Sequence, residues 1–277
     1  MGTDEIAPAR ARPYSPRLSM ARDEPIIRLQ GVHKTFGDLA VLRGVDLDIP
    51  EGLITTIIGG SGSGKSVLIK HIIALLRPDA GHVIVDGEDV SRLKPGDLVR
   101  VRRKFGMLFQ YAALFDSMTV EENVAFPLRE HTRLSSRVIR DRVKEKLEML
   151  RLFGTEKKYP AELSGGMRKR VGLARAIILE PKILIYDEPT AGLDPIMIYQ
   201  VDEMIRETQE RLGITSVVIS HDMASTFRIS NRIAMLHEGR IIETGTPAEV
   251  RASSNPHVRE FIFVTGTGPL SAGEASP

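Results

Sequence analysis

The sequence predicts an α/β fold with a mostly parallel sheet, and three apolar runs predict it. Leu53 to Ile58, Ile183 to Tyr186 and Val217 to Ile219 are short, rich in β-branched residues and free of Pro. Strands buried on both faces read this way. Each run passes at once into glycines or polar side chains. In open α/β sheets ligands sit at that carboxyl edge.

The first run enters Gly59-Gly60-Ser61-Gly62-Ser63-Gly64-Lys65-Ser66, which fits G-x-x-x-x-G-K-[ST]. Val67 to Leu76 follows as a helix, with Val67, Leu68, Ile72, Leu75 and Leu76 on its apolar side and Arg77-Pro78 as the stop. Strand, loop and helix are the context that this phosphate-binding motif requires. The glycines let the backbone wrap the β- and γ-phosphates of a nucleotide, and the helix N-terminus presents unpaired N–H groups. Lys65 supplies a point charge for the phosphates and Ser66 a hydroxyl for Mg²⁺. A Gly/Ser-rich linker would lack the framing strand and helix.

The second run ends in Asp187-Glu188-Pro189. Adjacent strand residues point to opposite sides, so the two acids take different roles. Asp187 reads as the Mg²⁺ holder and Glu188 as the general base for an attacking water. The third run, through Ser220, delivers His221 to the same edge as a γ-phosphate contact; a structural histidine is the rival.

A second glycine-bearing run is Leu163-Ser164-Gly165-Gly166-Met167, followed by Arg168, Lys169 and Arg170. Cations in a first helical turn oppose the helix dipole by about 0.3–1 kcal/mol each. Two readings remain: an anion docks there, or the turn is solvated.

The order Gly59–Ser66, Gln110, Leu163–Gly166, Asp187-Glu188, Asp194, His221 resembles the nucleotide-binding subunit of ABC transporters, over about residues 26–250. The resemblance implies a P-loop NTPase fold of the ABC ATPase kind. Its parts are a RecA-like core, an antiparallel β subdomain and a helical subdomain. It implies that ATP is hydrolysed with Mg²⁺ between two copies of the chain. Gln110 would link the Mg²⁺ and water site to an integral membrane permease. Ser164, Gly165 and Gly166 would contact the γ-phosphate bound to the other copy. Asp194, in Ala191-Gly192-Leu193-Asp194, would shape the dimer contact. Phe36, in Lys34-Thr35-Phe36-Gly37, matches the aromatic that stacks on adenine, because stacking uses only a ring face. A core phenylalanine is the alternative.

Met167 stands where that family usually has Gln. The runs Met107 to Phe115, Val124 to Thr132 and Leu163 to Arg170 resemble the ATPase subunit of Mla-type, Mce-associated phospholipid transporters, a subgroup that Met167 fits. That resemblance implies an Mce-domain lipid-binding protein and a STAS-domain protein as further partners. It places the chain on the cytoplasmic face of the inner membrane. An ATPase for a small-solute, amino-acid-type importer would share all the ATP chemistry. A DNA-repair ATPase would need a long coiled-coil insert, and a ribosome-associated factor two tandem cassettes; neither is present.

Among 277 residues the net charge is +2, which implies no nucleic-acid partner. There is no Cys, hence no disulfide framework. No apolar run approaches about 20 residues, and the N-terminus lacks a signal-peptide core. Residues 1–24 read as a disordered arm, 25–250 as the ATPase domain and 251–277 as a tail whose last part is disordered. The helical subdomain spans about 112–178. In it, Thr119 and Glu122 form a capping box for a helix that Pro127 ends. Ile139, Val143, Leu147 and Leu150 mark a second helix, capped by Ser136 and stopped by Gly154. Leu114 and Phe115 are permease contacts or local core. Val45 to Ile49 alternates as a half-exposed strand should and is assigned to an antiparallel edge region. Glu238-Gly239 signals a hairpin, and Pro256 to Val264 a short helix.

Overall fold

The structure, a computed structural model, describes residues 24–266. Apart from Glu24, the expected N-terminal arm lies outside the described residues, as do tail positions 267–277.

The chain opens with β1 (Ile27–Phe36) and β2 (Leu39–Ile49), then β3 (Ile54–Ile58), α1 (Lys65–Ile72), β4 (Ala80–Val85) and β5 (Glu88–Asp89). Next come α2 (Pro95–Arg102), β6 (Phe105–Leu108), α3 (Val120–His131), α4 (Ser136–Met149) and α5 (Gly165–Ile177). The last third holds β7 (Ile183–Asp187), α6 (Pro195–Leu212), β8 (Thr215–Ile219), α7 (Met223–Ile229), β9 (Arg232–His237), β10 (Arg240–Gly245), α8 (Pro247–Arg251) and α9 (Pro256–Gly266).

Two sheets result. The larger has the order β10-β9-β3-β8-β7-β6, parallel from β9 to β6, with β10 antiparallel at one edge. The smaller, β2-β1-β4-β5, is antiparallel; β2 is its edge strand and alternates buried and exposed over Val45 to Ile49. The three apolar runs are β3, β7 and β8, adjacent in the larger sheet. Their alternate residues enter two separate cores. Leu184, Tyr186 and Val218 join the helical insert, whereas Ile183, Ile185, Val217 and Ile219 join α1 and the smaller sheet. Burial on both faces explains why these runs carry no polar alternation.

Several helix ends differ from the sequence expectation. Helix α1 stops at Ile72 rather than at Arg77-Pro78. Ala74 turns left-handed at φ 56°, and the N–H groups of Leu75 and Leu76 both return to the Lys70 carbonyl. Leu75 is thereby exposed instead of lining the helix face. Helix α4 is capped by Ser135, whose hydroxyl accepts from Val138, and not by Ser136. Its end is made by Arg151 in the left-handed region at φ 59°, three residues before Gly154. The remaining core positions, Ile139, Val143, Leu147 and Leu150, are buried as the spacing requires.

Pro127 lies inside α3 and does not end it. A helix-interior proline costs about 3 kcal/mol. Full burial of Val124, Ala125 and Leu128 around it outweighs that cost. The capping box of Thr119 and Glu122 is present. Beside it, the buried Asn123 accepts from the Phe115 N–H at 2.8 Å and donates to the carbonyls of Phe115, Met118 and Thr119. One side chain thus shapes the turn that carries Leu114 and Phe115. Asn123→Ala should lower unfolding stability by about 3 kcal/mol, because several buried backbone groups lose their partner. Denaturant unfolding checks this.

The smaller sheet is tied to the β6 edge through Glu88, which pairs with Arg100 and, at 2.7 Å, with Lys104. These hydrogen bonds, Arg100 first, hold the Glu88 carboxyl down at about 2. A depressed carboxylate stabilises above its unfolded value and loses that contribution as pH falls through its folded one. The Tm gap between wild type and Glu88→Gln should therefore be full at about pH 6 and close toward pH 2 in thermal unfolding scans.

Candidate functional site

Four loops converge at the carboxyl edge of the larger sheet, following β3, β6, β7 and β8. The loop after β3 holds Gly59 to Ser66. Gly59 has φ 155°, and a Cβ there would collide with the Leu236 carbonyl oxygen. Gly64, at φ 106°, precedes α1 without any side-chain cap. The α1 N-terminus therefore offers its N–H groups to a ligand, as a phosphate site needs. Lys65 Nζ donates to the carbonyls of Gly59 at 2.6 Å and Gly60 at 3.0 Å. Burial lowers the Lys65 pKa, opposed by the charges of Glu188 and Asp187.

A second turn supports this loop from outside. Gly239 donates its N–H to the Ser63 carbonyl at 3.3 Å and accepts from the Arg43 N–H at 2.8 Å. Glu238 and Gly239 both have positive φ, the conformation of a tight β9–β10 hairpin. A Cβ on Gly239 would collide with the Val41 carbonyl.

Asp187 closes β7, but Glu188 is not its strand neighbour on the opposite side. Glu188 leaves the strand at φ 47°, with its N–H on the Ile219 carbonyl at 3.0 Å. The alternation argument for these two acids fails at the strand end, and both act electrostatically on Lys65. Burial raises the Asp187 pKa, with Lys65 opposing it. His221 Nδ1 lies 2.8 Å from Glu188 Oε2. The histidine thus meets the carboxylate directly, a contact that spacing along the chain cannot show.

The expected metal residues are Ser66, Asp187 and Gln110. Among the described residues no cluster of three or more His, Asp or Glu could cage a metal. One hydroxyl and one carboxylate beside a phosphate loop still suit Mg²⁺, which keeps several waters and takes phosphate oxygens. The Gln110 amide donates to the Tyr111 hydroxyl at 3.3 Å and makes no hydrogen bond to the acids.

Ser164 caps α5, its hydroxyl accepting from the Met167 N–H at 3.3 Å. Gly166 faces Met197 near the start of α6. Asp194 caps α6, with Oδ1 accepting from Ile196 and Met197 at 3.0 Å each. The signature and the Asp194 turn are therefore neighbours. Among the described residues no hydrogen bond or ion pair joins Ser164–Gly166 to the Gly59–Ser66 loop.

The three cations after Met167 follow neither sequence reading in full. Arg168 donates to the Leu163 carbonyl, Arg170 to that of Leu150, and the buried Lys169 to those of Gln110 and Pro189. Each gives at least one hydrogen bond to a backbone carbonyl; Arg168 stays exposed as the solvated reading expects, whereas the buried Lys169 is not solvated. Phe36 is 46 % exposed with Lys34 Nζ 5.5 Å from its ring centroid, which rules out the core reading. Leu114 packs against the core, whereas Phe115 is exposed and touches Phe126 with a centroid distance of 5.0 Å. Phe115 lines a groove with Phe109, Phe126, Pro127 and Arg175. Phe109, Tyr111 and Phe126 lie in the runs that carry the subgroup resemblance, but nothing in the sequence marks them individually as groove residues.

The family description "ABC transporter" matches residues 42–191. The chain belongs to the ABC transporter family. This ABC ATPase is 40 % identical over 248 residues to the probable ribonucleotide transport ATP-binding protein mkl of Mycobacterium leprae, covering 90 % of this chain and 72 % of that one. It is 39 % identical over 245 residues to the intermembrane phospholipid transport system ATP-binding protein MlaF of Escherichia coli, covering 88 % and 91 %. Its fold matches CbiO1 of Clostridium perfringens, part of an ABC transporter complex, at TM-score 0.78 and 30 % identity, covering 87 % of this chain and 96 % of that one. A dimeric ATP-binding cassette bound to ADP and Pi matches at TM-score 0.71 and 33 % identity, covering 80 % and 98 %. The ABC ATPase binds and hydrolyses ATP, as its family does. Among its described residues no helix is long and apolar enough to cross a membrane.

Proposed function

We propose that this ABC ATPase powers phospholipid transport between two membranes, working as a homodimer on an integral membrane permease. The observation that carries the lipid assignment is the 39 % identity to MlaF across 88 % of this chain and 91 % of that protein. The similar identity to mkl, named for ribonucleotide transport, keeps a solute cargo as the second reading.

Each copy supplies one phosphate loop and one signature. Lys65 and the α1 N-terminus hold the phosphates, and Phe36 stacks on adenine. Ser66 and Asp187, with Gln110, would hold Mg²⁺, which would supply positive charge against the phosphates. Glu188 takes a proton from the attacking water. His221 fixes the Glu188 carboxylate through Nδ1, which leaves Nε2 as its atom for the γ-phosphate. Ser164, Gly165 and Gly166 complete the site on the opposite copy, and Asp194 shapes the seam. Phosphoryl transfer depends mainly on such positioning. The Phe115 groove, flanking Gln110, receives the permease. An Mce-domain lipid-binding protein and a STAS-domain protein complete the assembly, and the ATPase itself sits at the cytoplasmic face of the inner membrane, peripheral through the permease.

The test is purification of tagged Glu188→Gln chain from mild-detergent membranes of its own host, with mass spectrometry of proteins and lipids. A permease with an Mce-domain protein and bound phospholipid supports the lipid reading. A solute permease with a periplasmic binding protein overturns it and leaves the ATPase mechanism intact.

A further inference from the structure

Lys169 is 5 % exposed, and its Nζ has only carbonyl partners: Gln110 at 3.1 Å, and Pro189. Among the described residues no carboxylate pairs with it. A lysine is seldom buried without a countercharge, and it ordinarily extends its ammonium to water. Burial accordingly lowers its pKa. Here the charge is held by two peptide dipoles, and both belong to loops of the ATP site. One is the carbonyl of Gln110. The other lies one residue past Glu188.

The same helix grips the segment after Gln110 a second time. Arg175, further along α5, donates to the carbonyls of Ala112 at 2.7 Å and Ala113 at 2.8 Å. Both alanines have positive φ, 61° and 47°. Gly172, between the two cations, lets α5 approach closely, since a Cβ there would press on Leu108 and Ala112.

The geometry points to Lys169 as a positioning residue for hydrolysis: it sets the Gln110 and Glu188 loops against the signature helix, so that movement of Ser164–Gly166 is felt at the water-activating end of the site. The inference rests on Glu188 being the base. Lys169 makes no hydrogen bond to the phosphate loop, so ATP binding by a free copy should not depend on it. Displacement of the Glu188 loop by a fraction of an ångström should slow turnover steeply.

The experiment compares full-length wild type, Lys169→Met, Lys169→Gln, Lys169→Arg and Glu188→Gln. Binding of a fluorescent ATP analogue and steady-state kcat and KM are measured for each. Lys169→Met should lower kcat about ten- to a hundredfold while KM and analogue affinity change less than about twofold. Lys169→Arg, whose guanidinium can reach both carbonyls, should recover most of kcat. Wild-type kcat in Lys169→Met overturns the proposal. So does parallel loss of analogue binding and kcat without rescue by arginine, which marks general packing. If Lys169→Met fails to fold, Lys169→Gln against Lys169→Arg decides on the same criteria. Wild-type turnover in Glu188→Gln would show instead that the base assignment is at fault.

Discussion

Glu188→Gln should lower ATP turnover at least about a hundredfold while ATP binding stays intact. The amide keeps the size of the carboxyl but cannot take a proton from water. The left-handed backbone at φ 47° is already tolerated by a residue of that shape. His221 Nδ1, 2.8 Å from Oε2, can still donate to an amide oxygen. What is lost is the basicity, together with the negative charge that Glu188 sets against Lys65. Binding without release should hold two copies closed on ATP. Size-exclusion chromatography with light scattering, with and without ATP and Mg²⁺, reads this as an ATP-dependent dimer. Phosphate release at the wild-type rate would remove Glu188 from the role of base.

Lys65→Ala should weaken ATP binding by about a hundredfold or more, roughly 3 kcal/mol. The ammonium is the cation of the phosphate loop, and the charges of Glu188 and Asp187 favour its charged form against the cost of burial. Folding should change little, because the hydrogen bonds lost are to two carbonyls of the loop itself. Calorimetric titration with ATP and Mg²⁺ measures it. A Kd within about threefold of wild type would place the phosphate charge elsewhere.

Strand ends are legible in this sequence because burial on both faces leaves an unbroken apolar run, and the polar residue after it stands at the ligand edge. That accounts for β3, β7, β8 and the loops that follow them. Helix ends are less legible. Ala74 and Arg151 turn left-handed without being glycine, so the stops assigned to Arg77-Pro78 and Gly154 fall too late. Pro127 misleads because burial around it exceeds its local cost. At the site, residue types are legible but contacts are not. The approach of His221 to Glu188 follows from the pairing of β7 with β8, a long-range fact. The burial of Lys169 has no local signal, since Arg168 and Arg170 beside it look the same.

The hairpin turn at Glu238-Gly239 has a genetic consequence. Gly239 stitches Ser63 to Arg43 and leaves no room for a side chain against Val41. Random mutagenesis scored by growth should therefore group residue 239 with Lys65 and Glu188, although it lies far from them in the chain and has no assigned contact with nucleotide. A map of intolerant positions would show it as an isolated peak, and its explanation would be the shape of the neighbouring loop.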